Sequence, residues 1–226
     1  MRTKKLNKKA VIIIVSAVVV AAAVLISLAA YGNYRMSLIP QMSVEEILEY
    51  ALKDNDSGVI TIGTIKDGQT SYFVYGKNGD MIENDLHIYE IGSLTKTVTA
   101  SLISKAVCEG KIDIDSPVDK YIELPEKEHY PTIRELLTHT SGYKPYYLEA
   151  PMIKYHFSHK NDFYGVGDSD IIKRLGKTDI ADKDHFYNYS NFGYAVLGLV
   201  LENVYATEYT TLVNEYLHND LGMPNT

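Results

Sequence analysis

The stretch YEIGSLTKT, residues 89–97, is the point where an extended segment gives way to a helix. Across residues 94–107 apolar side chains recur every three to four positions, which predicts a core helix that Gly110 would end. Ser93 and Lys96 stand three positions apart at the start of this helix, so we expect both side chains on one face. Backbone amides and the positive dipole end at a helix N-terminus can stabilise an oxyanion. The stretch therefore offers a serine nucleophile beside an amine that can activate it.

This serine and lysine spacing is weak evidence when it stands alone. Ser93 is equally well explained as an ordinary helix N-cap. Ser141 and Lys144 have the same spacing, although Gly142 lies between them just after a predicted helix, so those two side chains need not share a face. A second group of residues is needed to choose between a nucleophile and a cap.

That second group lies in the stretch YNYSNFGY, residues 187–194, again where an irregular segment meets an apolar helix. In an extended backbone Tyr189 and Asn191 point to one side and Ser190 points to the other. A phenol beside a lysine ammonium can have its pKa lowered enough to accept a proton, and the amide can hold the lysine and a substrate carbonyl. The chain has 19 tyrosines, so an amphipathic core role for Tyr189 is the alternative.

Three stretches, in this order, resemble the serine β-lactamase and penicillin-binding protein superfamily, in its class C-like branch: residues 89–97, the run LLTHTSG at 136–142, and residues 189–194. The first contains the S-x-x-K motif of that superfamily. The resemblance covers residues 59–226. It implies an α+β fold of the β-lactamase/transpeptidase type, an antiparallel sheet flanked by helices plus a helical subdomain, incomplete at the C-terminus.

The resemblance also implies roles for four residues. Ser93 would attack a carbonyl carbon and form an acyl-enzyme, Lys96 and Tyr189 would together manage the proton, and Asn191 would orient Lys96 and bind substrate. His139 and Ser141, in the second stretch, match a segment near the site entrance that we expect to be structural. No cofactor is implied. The expected partner is an acyl substrate: a β-lactam, a D-alanyl peptide or an ester.

Relatives of this type carry a third motif, K-T-G or H-x-G, well downstream of the tyrosine motif, and the sequence ends at Thr226 without one. The run GKTD at residues 176–179 precedes the tyrosine motif and lacks the final glycine. We therefore expect a truncated domain whose isolated chain is poorly active or inactive. A penicillin-recognising sensor, or an inactive remnant, is the alternative to a hydrolase.

The N-terminus predicts a membrane anchor. Residues 1–9 carry five cations, and residues 10–30 form an uncharged apolar run long enough to cross a bilayer. The basic flank predicts a cytoplasmic N-terminus, and a cleaved signal peptide is the less favoured alternative because its apolar region should be shorter. The predicted organisation is a basic cytoplasmic segment (1–9), a transmembrane anchor (10–30), a linker (31–42) and a partial hydrolase domain (43–226) outside the cytoplasm, in a single-pass cell-membrane protein.

The remaining elements follow from local patterns. The spacing of Ser43 and Glu46 predicts a capping box and a helix to about Lys53. Residues 59–65 and 71–75 predict a hairpin, and residues 86–91 a further strand or extended segment. Capping at Thr132, periodicity over 169–175, 191–204 and 209–217, and weak periodicity over 143–168 predict four helices and one long irregular excursion.

Charge and composition restrict the remaining functions. The net charge is −7, and leaving out the five N-terminal cations gives −12 for the remainder, so a nucleic-acid partner is not expected. The one cysteine, Cys108, is predicted to be a buried thiol. His156 and His159, joined in space by His139 and His185, are the alternative of a metal site, although no carboxylate or cysteine pattern accompanies them. The aromatic residues of the excursion either wall the cleft or pack within the loop: Tyr143, Tyr146, Tyr147 and Tyr155.

Overall fold

The computed structural model describes residues 8–83, 87–158, 161 and 163–226. The chain divides into two compact units, Met1–Ile88 and Tyr89–Thr226. The first holds a small antiparallel sheet and two helices, and the second is helical. The predicted α+β class is confirmed.

The first unit begins with helix α1, Lys8–Leu38, in which the apolar side chains of residues 14–36 are exposed. Within it and the short 3-10 turn that follows, residues Ile14–Gln41 are long and apolar enough to cross a membrane, with a mean hydropathy of 2.5. The helix continues to Leu38 and so runs through most of the predicted linker, residues 31–42. Gly32 costs a helix only about 1 kcal/mol, and Pro40 lies at the start of the 3-10 turn Ile39–Gln41, where a missing N–H is tolerated.

Helix α2, Val44–Leu52, starts at the predicted capping box. The Ser43 hydroxyl accepts a hydrogen bond from the Glu46 amide at 3.2 Å, and the Glu46 carboxylate accepts one from the Ser43 amide at 2.7 Å. Two backbone donors that the helix cannot satisfy are thereby paired. Leu48 and Leu52, one turn apart, are the buried residues of this helix.

The predicted hairpin is confirmed as strands β1, Ile60–Lys66, and β2, Gln69–Tyr75. The turn residues Asp67 and Gly68 both have positive φ, which is the requirement of a tight two-residue turn matched to strand twist. A short strand β3, Met81–Ile82, pairs with the other edge of β2. No strand forms over residues 87–91, and Leu86, the first residue of the predicted third strand, lies outside the described residues.

The second unit is built around helix α7, Asn191–Tyr205, which buries an unbroken group of aliphatic residues. Helix α3, Thr95–Cys108, and helix α4, Ile133–Leu137, pack against it. Each fully buried aliphatic side chain contributes roughly 1.5–3 kcal/mol, so this packing dominates the unit's stability. The other helices are α5, Ala150–Phe157; α6, Asp168–Lys177; and α8, Tyr209–Glu215, followed by a π-helical turn, Tyr216–Asp220.

Two predictions for this unit are wrong. Helix α5 lies within the stretch expected to be irregular; its two turns are too short for a clear periodic signal. Cys108 is exposed rather than buried. The buried face of α3 includes Leu102, Ile103 and Ala106, and a residue two positions after Ala106 is rotated by about 200° around the helix, onto the opposite side.

Candidate active site

Ser93 lies in a 3-10 turn, Gly92–Leu94, immediately before helix α3. Gly92 has a φ of +54°, a backbone conformation that costs glycine little and that L side chains rarely adopt. Leu94, not Ser93, is the N-cap of α3, and no side chain caps that helix end. The Ser93 hydroxyl instead faces Lys96 and Tyr189, so it does not serve as the N-cap of α3.

Two polar side chains contact that hydroxyl, and a third contacts one of them. Lys96 Nζ donates to Ser93 Oγ at 3.2 Å, and the Tyr189 hydroxyl donates to the same oxygen at 2.8 Å. Lys96 Nζ also donates to Asn191 Oδ1 at 2.7 Å. The four residues singled out by the sequence therefore form one connected network, although they come from segments almost a hundred positions apart.

Electrostatics in this network favour proton transfer. The Lys96 ammonium lies 4.9 Å from the centroid of the Tyr189 ring. Hydrogen bonding with Lys96, and then with Ser93, lowers the pKa of Tyr189 from its ordinary value, and the Lys96 charge adds a smaller effect. A phenol with a lowered pKa is a better acceptor for the serine proton at neutral pH.

The strand-like alternation predicted for the tyrosine motif is present. Ser190, 1% exposed, caps α7 by accepting the Gly193 amide at 2.9 Å, while Tyr189 and Asn191 on either side face the site. Because Ser190 is fixed as the cap, the direction of its two neighbours is fixed with it.

The segment from His139 to Pro145 holds this motif in place through several hydrogen bonds. His139 Nδ1 accepts from the Ser190 amide at 3.0 Å, and the His139 carbonyl accepts from the Asn188 amide at 2.8 Å. The Ser190 hydroxyl donates to the Lys144 carbonyl at 2.7 Å, and the Asn191 amide donates to the Pro145 carbonyl at 2.9 Å. We call residues 139–145 the supporting loop.

His139 is the least expected member of the supporting loop. Its side chain is buried, its φ is +59°, and its ring centroid lies 4.5 Å from that of Tyr189. Burial, and then the Lys96 charge, lower the pKa of His139, so its ring is neutral and can accept the Ser190 amide. Sequence reasoning expected a structural residue and missed this direct support of the motif. Spacing carried no signal for it, since the contact spans 51 positions.

Two alternative sites were considered from sequence: a second serine and lysine pair, and a metal site formed by histidines. Ser141 is buried, and its hydroxyl accepts only a long 3.4 Å bond from the Tyr143 amide, whereas Lys144 is exposed, so the second serine and lysine pair forms no such network. Within the described ranges, no group of three or more His, Cys, Asp or Glu side chains could hold a metal ion. His159 lies outside those ranges.

A cavity of about 440 Å³ opens beside the network, lined by Ser93, Lys96 and Asn191 together with mainly apolar side chains. Tyr146 and Tyr147 line it, so part of the aromatic excursion does wall the cleft. Tyr143 is instead 1% exposed and belongs to the core, and Tyr155 packs against Tyr164.

Ser93 at the start of a core helix, with Lys96 one turn further along, has the spacing of the S-x-x-K motif of β-lactamases and penicillin-binding proteins. Residues 44–226 match the family described as Beta-lactamase, and the chain belongs to that family. The predicted superfamily is confirmed.

Individual relatives agree with this assignment. A "Beta-lactamase" of Providencia stuartii is 25% identical over 197 residues, covering 83% of this chain and 47% of the relative. The octameric penicillin-binding protein homologue from Pyrococcus abyssi is 28% identical, with a TM-score of 0.60 over 73% of this chain and 39% of that one. A class C β-lactamase from Rhodobacter sphaeroides, 19% identical, shares the fold with a TM-score of 0.59 over 79% of this chain and 48% of that one. The chain thus spans about half the length of these proteins or less.

Proposed function

We propose that this chain supplies the nucleophilic part of a membrane-anchored, extracytoplasmic serine hydrolase of the β-lactamase, D-alanyl-D-alanine carboxypeptidase or esterase type. The observation that carries the proposal is the contact of Ser93 Oγ with both Lys96 Nζ and the Tyr189 hydroxyl. A serine hydroxyl is a weak nucleophile until a neighbouring base takes its proton. Both neighbours are within the distance that such a transfer needs.

The reaction starts with Tyr189 as phenolate, accepting the Ser93 proton along their 2.8 Å contact while Lys96 balances its charge. Ser93 Oγ attacks the acyl carbon, and an ester bond to Ser93 forms as the bond to the leaving group breaks. The leaving group takes the proton held by Tyr189. A water molecule then attacks the acyl-enzyme, giving a free acid and regenerating the Ser93 hydroxyl. Asn191 has a positioning role, because its amide oxygen fixes Lys96.

Membrane attachment is the second part of the proposal. Helix α1 supports it, because the apolar side chains of residues 14–36 are exposed and the helix is long enough to span a bilayer. The cations of residues 1–9 favour a cytoplasmic N-terminus, which places residues 43–226 outside the cytoplasm. An extracytoplasmic location gives the site access to cell-wall peptides and to β-lactams.

The test is acylation of Ser93, followed by intact mass. A fluorescent penicillin and a fluorophosphonate are each incubated with the chain, with Ser93→Ala and with a matched control, Ser71→Ala, which removes an exposed serine of β2. We expect both reagents to label the parent chain and Ser71→Ala, at the slow rate of a poorly active chain, but not Ser93→Ala. A mass increase that decays with time indicates a hydrolase, and one that persists indicates a penicillin sensor. Labelling that survives Ser93→Ala, or none by either reagent, overturns the proposal.

A further inference from the structure

Building on the proposed function, we propose that the cavity beside Ser93 binds the acyl group of the substrate, and that this group is a long uncharged apolar chain. The cavity opens at the nucleophile, so whatever occupies it is covalently attached to the reacting carbon or lies next to it. Its size, lining and charge identify the occupant, and its position relative to Tyr189 identifies which side of the scissile bond it holds.

The position relative to Tyr189 favours the acyl side. A leaving group must lie against the hydroxyl that protonates it, and Tyr189 is not among the described residues that line the cavity, whereas Ser93 and Asn191 are. The leaving group therefore departs on the Tyr189 side. The part that remains bonded to Ser93 is the part that the cavity receives.

The lining is suited to an apolar chain. Tyr146, Met152, Phe163, Ile171 and Phe192 supply large apolar surfaces. Tyr146 and Phe163 form an edge-to-face pair with centroids 6.5 Å apart, and both are about half exposed. Two exposed aromatic rings at the mouth of a catalytic cavity leave apolar surface in water that a ligand can cover.

The apolar surface continues beyond the first cavity. Tyr146, Met152 and Phe163 also line a second cavity of about 350 Å³, whose other walls include Leu148 and Phe157. Leu148 is 64% and Phe157 is 79% exposed. Two apolar cavities that share one wall form an extended path, which fits a chain of many carbons better than a single methyl or ring.

Charge in the first cavity opposes an anionic acyl group. Arg174 is already paired, because its Nε donates to Glu149 at 2.6 Å, and Lys96 is held by Ser93 and Asn191. The remaining charged residue among the described lining is Asp170, a carboxylate. The carboxylate of an anionic acyl group would therefore enter the cavity beside Asp170, and no unpaired cation among the described lining residues would balance its charge.

The experiment measures acylation of Ser93 by p-nitrophenyl esters that differ in the acyl group, by intact mass and by release of p-nitrophenolate. Acetyl, butanoyl, hexanoyl and octanoyl esters are compared below their micelle concentrations, with a hemi-adipate ester as the anionic counterpart of hexanoyl. We expect the acylation rate constant to rise about fourfold for each added methylene that leaves water, and the hemi-adipate to react at least about tenfold more slowly than hexanoyl.

Two variants distinguish binding of the acyl chain in the cavity from nonspecific hydrophobic binding elsewhere on the surface. Phe163→Ala removes a ring that both cavities share, so it should flatten the dependence of the acylation rate on acyl chain length. Phe186→Ala removes a ring that is 97% exposed and lines neither cavity, so it should behave as the parent does. Acetyl reacting as fast as octanoyl, or a slope unaltered in Phe163→Ala, would overturn the inference while the serine chemistry stands. Failure of every ester and of the fluorophosphonate to modify Ser93 overturns the proposed function as well.

Discussion

The Tyr189→Phe substitution tests the role of the Tyr189 hydroxyl separately from that of its ring. The substitution deletes the 2.8 Å contact with Ser93 Oγ and leaves the ring that faces Lys96 and packs on His139. If the hydroxyl accepts the serine proton, the loss equals the contribution of a general base, which is about 10²–10⁴-fold in rate. At 1.36 kcal/mol for each factor of ten, this corresponds to about 3–5 kcal/mol in the barrier to acylation.

The pH profile gives a second readout for the same variant. Lys96 and the bond to Ser93 lower the pKa of Tyr189, so the fraction present as phenolate grows with pH at values below the ordinary pKa of tyrosine. The acylation rate of the parent chain should therefore rise with pH along this limb. Tyr189→Phe should lack the limb, because no phenol remains to ionise.

Acylation is measured under single-hit conditions with a fluorescent penicillin, at several pH values, with thermal unfolding in detergent as a check on folding. The matched control is Tyr187→Phe, whose ring is also an edge neighbour of His139 and whose hydroxyl makes no described contact with Ser93. The unfolding free energy of Tyr189→Phe should change by no more than about 1 kcal/mol, because one hydrogen bond near solvent is lost. An acylation rate within about threefold of the parent, with the same pH dependence, would refute the assignment and leave Lys96 as the base.

Three further outcomes are expected. Asn191→Ala frees Lys96 from its 2.7 Å acceptor, and since a hydrogen bond to a charged group contributes about 1.5–3 kcal/mol, acylation should fall roughly 10- to 100-fold; an unchanged rate contradicts this. His139→Ala leaves the buried Ser190 amide without its acceptor, so the free energy of unfolding should fall by about 1–3 kcal/mol and acylation should slow. His139→Asn tolerates positive φ and keeps an acceptor, so it should recover much of the stability and of the acylation rate. The lowered pKa of His139 means that the unfolded chain binds its proton more readily, so the stability it contributes is present above the ordinary histidine pKa and is lost as pH falls below it; urea unfolding at about pH 8 and about pH 5 should differ more for the parent than for His139→Asn.

Local patterns predicted the elements that carry strong short-range signals. The capping boxes at Ser43 and Thr132, and the turn at Asp67 and Gly68, are satisfied by atoms within three or four positions, so sequence alone specifies them. Helix α7 was predicted to within one residue of its end for the same reason, because its apolar face is long and regular.

Predictions failed where an element was too short to show a clear periodic pattern, or where a contact depended on residues far apart in the sequence. Helix α5 is two turns long and carries a proline in its first turn, so its pattern does not differ clearly from that of a loop. The extent of α1 was underestimated because Gly32 and Asn33 were interpreted as linker residues, although a long helix can absorb both. The supporting role of His139 depends on a partner 51 positions away. Such a contact exists only once the chain has folded.

The packing of helices in the core of the second unit also sets the geometry of the candidate site. Ser93 and Lys96 enter on the α3 side, Tyr189 and Asn191 on the α7 side, and these two helices pack through a buried aliphatic layer that includes Leu102, Ile103, Val196 and Val200. The hydrogen bonds between the two pairs are 2.7 and 2.8 Å long, and such bonds weaken steeply with displacement. A substitution in this layer that moves one helix by a fraction of an ångström therefore changes the hydrogen-bond distances around Ser93, although the substituted residue does not contact the site. Close-packed interiors transmit such shifts rather than absorbing them, so the apolar residues that determine the stability of this unit also determine the distance over which the serine proton must move.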